Sequence, residues 1–424
     1  MPRWSQGASA AAAGEKQPLL GAPPPPLPPS PPTPPRLSAL DAACCVVDLF
    51  GVFPVLALPR ALLACGWAGA ALALAVVALQ GYTARLLGRS WLLARGALPR
   101  WTAARRRSPY AALAELAFGA RGRRVASAFL HTAVFGSYVP DLLFAAQNMQ
   151  LVGRRLWELE DAGLSFCVWL VALGLLLCPM LWLGSPKDQK WVTGVSVGLV
   201  VAVAALTWAC VAHAPWPPRR PPPAPLPSLP PPTLQAAALA YGNLVFQFDA
   251  HPALLTVQVD MADPRRLGHA IAASYTLSAS LALITTLLAG LLRPGSAGRA
   301  DVLQALPGSP PLYAAVLLAT LQILLSTVVG GSALFQDLEQ RLRISPDFSW
   351  RRAALRVSLL AGAVLLALAS PRLPLVMGLL GAAVTGPLSL VLPPLLHARL
   401  LSRLHARALP PDDPDDDADG DDAK

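Results

Sequence analysis

Charge is what this chain has little of: Asp, Glu, Lys and Arg together make up 14% of its 424 residues, while hydrophobic types make up 54%. A soluble domain carries about a quarter of its residues as charges, so an ordinary water-soluble fold is excluded. Strict alternation of polar and apolar residues is also absent, which excludes a β-barrel. There is no Gly-x-Ser-x-Gly elbow, no His-Glu-x-x-His pair and no phosphate-cradling Gly-Lys-Ser/Thr loop, so neither an enzyme nor a nucleotide-driven pump is supported. The six cysteines (Cys44, Cys45, Cys65, Cys167, Cys178 and Cys210) lack metal-ligand spacing and a paired framework, and no metal is expected. The opening residues are polar and proline-dominated rather than a cleavable leader, so the first apolar span is expected to act as the signal anchor.

What the chain does have is a series of apolar stretches, each long enough to cross about 30 Å of hydrocarbon as a helix. They run over residues 39–64, 68–87, 125–152, 164–183 and 191–212, then 234–257, 268–292, 312–335, 354–369 and 373–396. The expected fold is therefore an all-α membrane protein of about ten transmembrane helices. Residues 38–400 form the membrane domain, between a proline-rich tail (1–37) and an acidic tail (401–424), both too poor in apolar residues to fold. The net charge of +10 lies in short connections between spans, so it reports topology rather than nucleic-acid binding. Arg105, Arg106, Arg107, Arg121, Arg123 and Arg124 follow the second span, and Arg265, Arg266, Arg341, Arg343, Arg351 and Arg352 fall on the same face. Basic connections stay cytosolic, which makes both termini cytosolic.

Spans one and six depart from the others. The first contains Asp48-Leu49-Phe50-Gly51-Val52-Phe53-Pro54, and the sixth Phe246-Gln247-Phe248-Asp249-Ala250-His251-Pro252. Proline removes a backbone donor and glycine weakens a helix, so both segments are expected to unwind near mid-membrane. Breaks at matching places in two halves point to a five-plus-five inverted repeat with its site at the breaks.

The run from Phe246 to Pro252, followed by Met261-Ala262-Asp263-Pro264, resembles the sixth-helix signature of the amino acid/auxin permease family. Leu56-Ala57-Leu58-Pro59 is similar to that family's helix-one motif, and Met377-Gly378-Leu379-Leu380-Gly381 and Leu392-Pro393-Pro394 look closest to its vesicular inhibitory amino acid transporter branch, with vacuolar amino-acid transporters also related. The resemblance covers most of residues 38–400. It implies a leucine-transporter-like fold and transport of amino acids driven by a proton or sodium gradient, with no other cofactor. The chain departs from the family where Gly51 sits one residue before the usual helix-one glycine and where Arg60 replaces an aromatic.

Candidate substrate-binding positions are Asp48, Gly51, Val52, Phe53, Phe246, Phe248 and Asp249. A carboxylate within an apolar span is costly unless it pairs or faces a cavity. Two roles are open for Asp48: holding a substrate ammonium, or pairing with Arg60. Asp141 in span three has the same ambiguity. His251 is the proton-coupling candidate, with Asp249 and Asp48, because histidine changes charge between neutral and mildly acidic pH and a neighbouring carboxylate favours the imidazolium. Proton coupling is thus favoured over sodium. The alternative reading is a transporter-like amino-acid sensor or adaptor that binds without net flux.

The amino-terminal tail carries two address-like patterns. Pro31-Pro32-Thr33-Pro34-Pro35-Arg36 fits an SH3 ligand, and Glu15, Leu19 and Leu20 fit the acidic dileucine signal read by clathrin adaptors, which predicts a lysosomal, endosomal or vesicular membrane. Replacing Leu19 and Leu20 with Ala is expected to move the protein to the cell surface. Surface biotinylation reads this, and an unchanged distribution counts against the signal.

Overall fold

The computed structural model describes residues 37–156, 165–183, 189–213, 234–292, 301–344, 349–370 and 372–408. The tail motifs at Glu15, Leu19, Leu20 and 31–36, the proline-rich loop 215–232 and the acidic stretch 412–422 lie outside the described residues. Everything described is helix or short connection.

Ser38 starts the first helix, α1 (Ala39–Phe50): its hydroxyl accepts the Asp41 N–H while the Asp41 carboxylate accepts the Ser38 N–H. The helix stops at Gly51, where φ is 60° and ψ is −150°, a combination closed to residues with a side chain. A single turn, α2 (Phe53–Leu56), leads into α3 (Leu58–Ala97), which bends at Gly66 so that its opening turns finish crossing one and the remainder makes crossing two. After the short α4 (Pro99–Ala104), α5 (Pro109–Leu156) bends at Gly119 and makes crossing three. Helices α6 (Phe166–Leu183) and α7 (Gln189–His213) complete the first half.

The second half opens on another broken helix, α8 (Leu234–Gln247) and α9 (His251–Asp260). It continues through α10 (Leu267–Leu292), the one-turn α11 (Val302–Ala305), α12 (Pro310–Gly330), α13 (Ser332–Arg341) and α14 (Trp350–Ala369). The last crossing joins α15 (Leu373–Leu380) to α16 (Leu392–Ala408) through π-helical turns at Gly381–Thr385 and Pro387–Val391. Among the described residues seven helices are long and apolar enough to cross a bilayer, and Phe166–Trp182 is a shorter apolar one. The two broken helices supply the other crossings, since each of their halves is too short alone. The result is the expected ten-crossing, five-plus-five arrangement with the first helix of each half interrupted.

The two broken helices meet at one face. Leu37 N–H donates to the Asp260 carbonyl at 2.9 Å, and Ala262 N–H donates to the Leu37 carbonyl at 2.8 Å, so crossing one begins where crossing six ends. Leu37 therefore belongs to the folded body, and the expected tail at 1–37 is one residue too long. The expected tail at 401–424 also starts too early. Helix α16 runs on to Ala408 because Leu400 is buried, Leu404 packs on the core, and Arg403 donates to the Leu116 carbonyl at 2.8 Å. Crossing eight, read as continuous over 312–335, passes through Gly331 with its i→i−4 bonds kept (Gly331 N–H to Thr327 and Phe335 N–H to Gly331) and runs on to Arg341.

The core forms two apolar clusters with the interrupted helices at their seam. Phe50 and Phe248 belong to one, whereas Val52 and Phe53, just past the first break, belong to the other. Each break thus lies where two packed bodies adjoin.

Crossing six passes so close to crossing ten that no side chain fits between them: a Cβ at Gly242 would overlap the Gly378 backbone, and one at Gly381 would overlap the Gly242 carbonyl. Lipid offers no hydrophobic drive between helices, so such close backbone approach is a main source of their adhesion. Gly242→Ala is expected to destabilise the protein by about 1–3 kcal/mol through overpacking. Gly194→Ala on α7, where a Cβ meets nothing within 4 Å, is the control and should leave the melting temperature in detergent unchanged.

Candidate functional site

Two helix interruptions inside an apolar slab leave backbone groups that must find partners from neighbouring helices. At the first break, Val52 N–H donates to Gln322 Oε1 on α12 at 3.2 Å, and Ser326 of the same helix donates its hydroxyl to the Asp48 carbonyl at 2.8 Å. At the second, Tyr275 on α10 donates to the Phe248 carbonyl at 2.9 Å, and Gln80 on α3 donates to the Val245 carbonyl at 2.9 Å. The rings of Phe50, Phe248 and Tyr275 form a cluster that links the breaks, with centroids 5.5 Å (Phe50–Phe248), 4.9 Å (Phe50–Tyr275) and 6.3 Å (Phe248–Tyr275) apart.

Between the breaks lies a cavity of about 110 Å³. Gly51 and Phe53 line it from the first break, Phe246, Gln247 and Asp249 from the second, and Asp141 and Thr327 from α5 and α12. Ser137, Gln322, Ser326 and Thr385 complete the polar part of the wall. The Thr327 hydroxyl lies 3.1 Å from Asp141 Oδ2 and 2.7 Å from the Ile323 carbonyl, and among the described residues the other Asp141 oxygen has no hydrogen-bond partner. Phe53 stands edge-on to Phe246, 6.4 Å between centroids, and leans on Phe144 at 5.1 Å, so one wall is aromatic. Backbone at two breaks, two carboxylates and an aromatic wall make a pocket suited to a small solute that carries both charged and apolar parts.

Of the residues expected at the site, Gly51, Phe53, Phe246 and Asp249 line this cavity. Val52 takes part through its backbone N–H alone, and Phe248, 1% exposed, is packed behind the wall in the aromatic cluster. Asp48 is not in the lining. Its carboxylate, 1% exposed, accepts from the Ser196 hydroxyl on α7, and Gln322 Nε2 donates to that same hydroxyl at 3.0 Å. Among the described residues Asp48 and Arg60 form no ion pair; the nearby charge of Arg60 instead acts on Asp301, the cap of α11. The helix between Asp48 and Arg60 is interrupted at Gly51, so the straight-helix spacing that suggested the pair does not hold.

His251 is fully buried just behind the cavity wall. Its Nδ1 lies 3.2 Å from Asp249 Oδ1, and its Nε2 lies 3.1 Å from the Thr83 hydroxyl on α3. The backbone N–H of His251 also donates to Asp249 Oδ1, at 3.1 Å. A chain of polar groups therefore runs from the cavity through Asp249 and His251 to crossing two. Thr83, Ser196, Gln322 and Ser326 were not anticipated. Each is a lone polar residue in an apolar span, a signal they share with many hydroxyls that merely bond their own helix, such as Thr207 and Thr320.

The fold and cavity define a multi-pass membrane protein whose central pocket is built on two interrupted helices. The model of the family described as transmembrane amino acid transporter protein matches residues 36–409, and the chain belongs to that family. No curated protein matches it significantly. Among solved structures, a substrate-bound outward-open Na+-coupled sialic acid symporter aligns at 14% identity with a TM-score of 0.49, covering 84% of this chain and 79% of that one. A manganese transporter of Eremococcus coleocola, as the H236A mutant, aligns at 15% identity with a TM-score of 0.45, covering 85% and 78%. Neither alignment bears on what this pocket holds.

If the Ser196–Gln322 network is what keeps Asp48 inside the bundle, Asp48→Asn retains an acceptor and costs little, whereas Asp48→Ala strands two buried polar groups and costs about 1–3 kcal/mol. Thermal melts of the purified variants measure this. Equal losses for both would mean that the network contributes no stability.

Proposed function

We propose that this protein is a secondary transporter of an amino acid or a related small amino compound, coupled to protons and working in an intracellular membrane. Membership of the amino acid transporter family supports the substrate class. The single observation that most supports proton coupling is the buried line from Asp249 in the cavity wall through His251 to Thr83. A substrate ammonium has two carboxylates to approach, Asp141 and Asp249, and the backbone at the breaks is available to a carboxylate. Protonation of the His251–Asp249 pair changes the charge of the wall next to the ligand, which is the differential interaction that coupling requires. In this reading Asp48 braces the first break from behind.

The proposed orientation, with both termini in the cytosol, rests on the arginine excess of one face. The intracellular membrane rests on the dileucine pattern at Glu15, Leu19 and Leu20.

Uptake of labelled amino acids into proteoliposomes, with and without an imposed pH gradient, tests the proposal. Wild type should accumulate substrate only with the gradient. His251→Ala should keep binding and lose gradient-driven uptake, and Asp249→Asn, which removes the carboxylate facing His251 Nδ1, should impair the same step. Wild-type gradient-driven flux in His251→Ala moves the proton path elsewhere. Binding with no flux in wild type favours the sensor or adaptor reading.

A further inference from the structure

A second, strongly charged cavity lies apart from the transport pocket. A basin of about 720 Å³ opens between the α4–α5 connection, the start of crossing three and α13. Arg105, Arg107, Arg123, Arg124, Arg341 and His131 line it. Glu115 Oε2 is shared by Arg105 at 3.3 Å and Arg123 at 3.1 Å, and Asp337 Oδ2 by His131 and Arg341, both at 2.8 Å. Five arginines against two carboxylates leave three positive charges uncompensated even with His131 neutral. Among the described residues Arg107 and Arg124 make no ion pair and no hydrogen bond, and both are exposed.

A basic surface alone is commonplace near a membrane; the position and shape of this one are more specific. The apolar part of crossing three begins at Val125, which is exposed, immediately after Arg123 and Arg124. Phe118, just before the bend at Gly119, is exposed as well, and Trp101 carries the Arg105 guanidinium 4.5 Å from its ring centre. Exposed apolar side chains at the start of a crossing, and a tryptophan against one of the basin's arginines, are features of the boundary between hydrocarbon and headgroups, and they argue for a basin at headgroup depth. Arginine forks match phosphate oxygens bidentately, and a concave site with several of them suits clustered phosphates better than a single carboxylate or phosphodiester. Basic pockets between transmembrane helices on the cytosolic side are where such headgroups bind.

We propose that this basin binds clustered phosphate monoesters carried on a lipid of the facing leaflet, a multiply phosphorylated inositol headgroup, with Arg107 and Arg124 as its principal ligands. The headgroup would bridge α5 to Arg341 on α13. Helix α13 starts directly after Gly330 and Gly331, which line the transport cavity, so the lipid would brace the inner end of crossing eight.

Binding can be read as thermal stabilisation of the purified full-length protein on titration with dioctanoyl phosphatidylinositol bisphosphate, inositol trisphosphate or dioctanoyl phosphatidylserine. The bisphosphate lipid should raise the melting temperature, with an affinity that falls as salt rises. Arg107→Gln with Arg124→Gln should weaken that affinity by roughly tenfold or more while leaving the ligand-free melting temperature unchanged, because neither side chain is paired in the fold. Arg95→Gln with Arg100→Gln, exposed arginines outside the basin, should bind as wild type does. Absence of a shift with the bisphosphate lipid, an undiminished response in the Arg107/Arg124 double variant, or equal stabilisation by phosphatidylserine would overturn the proposal. Equal affinity for inositol trisphosphate would keep the phosphate chemistry and overturn the lipid as its source.

Discussion

The rest of this structure depends on one constraint: a helix broken inside hydrocarbon exposes N–H and C=O groups that have no water to bond, so each must be met by protein. Here the partners come from crossings two, seven and eight, through Gln80, Tyr275, Gln322 and Ser326. Those side chains are why α3, α10 and α12 pack around the breaks, and why a cavity can persist there without unravelling the bundle. Each unmet group would cost about 1–3 kcal/mol, comparable with a sizeable fraction of a membrane helix's adhesion.

The same economy of partners governs the buried charges. Glu339, 5% exposed, takes Arg356 at 2.8 Å and Arg352 at 3.0 Å, while Arg356 also donates to the Leu181 carbonyl and stacks 5.1 Å from the Phe335 ring. That group ties α13 and α14 to the end of α6 at the arginine-rich face. Through Phe335 it adjoins Tyr138 on α5, the two rings being 6.1 Å apart. The end of crossing eight that carries α13 is therefore held in part by ionic contacts, whereas α12 packs along α7.

Much of this architecture was legible in the sequence because the governing signals are local. Span length and apolarity gave the crossings, and the Gly-Val-Phe-Pro and Asp-Ala-His-Pro runs gave the two interruptions. The lining positions of Gly51, Phe53, Phe246 and Asp249 followed from being at an interruption at all. The ends of the body were less accurate, since Leu37 is held by Asp260 and Ala262, and 401–408 by contacts with Leu116 and the core, both remote in sequence.

By itself, then, the sequence determined the class of fold, its repeat and the places where its helices break, because backbone hydrogen bonding in lipid permits few answers once the apolar runs and prolines are given. Only the tertiary structure decided what each polar side chain does there. Asp48 turns away from the cavity because Ser196, from a helix almost 150 residues on, supplies its bond, and Asp141 faces inward beside Thr327. His251 reaches Thr83 across a gap of 168 positions. Such partnerships arise from how helices rotate against one another in the packed bundle, and no periodicity along one helix encodes that rotation.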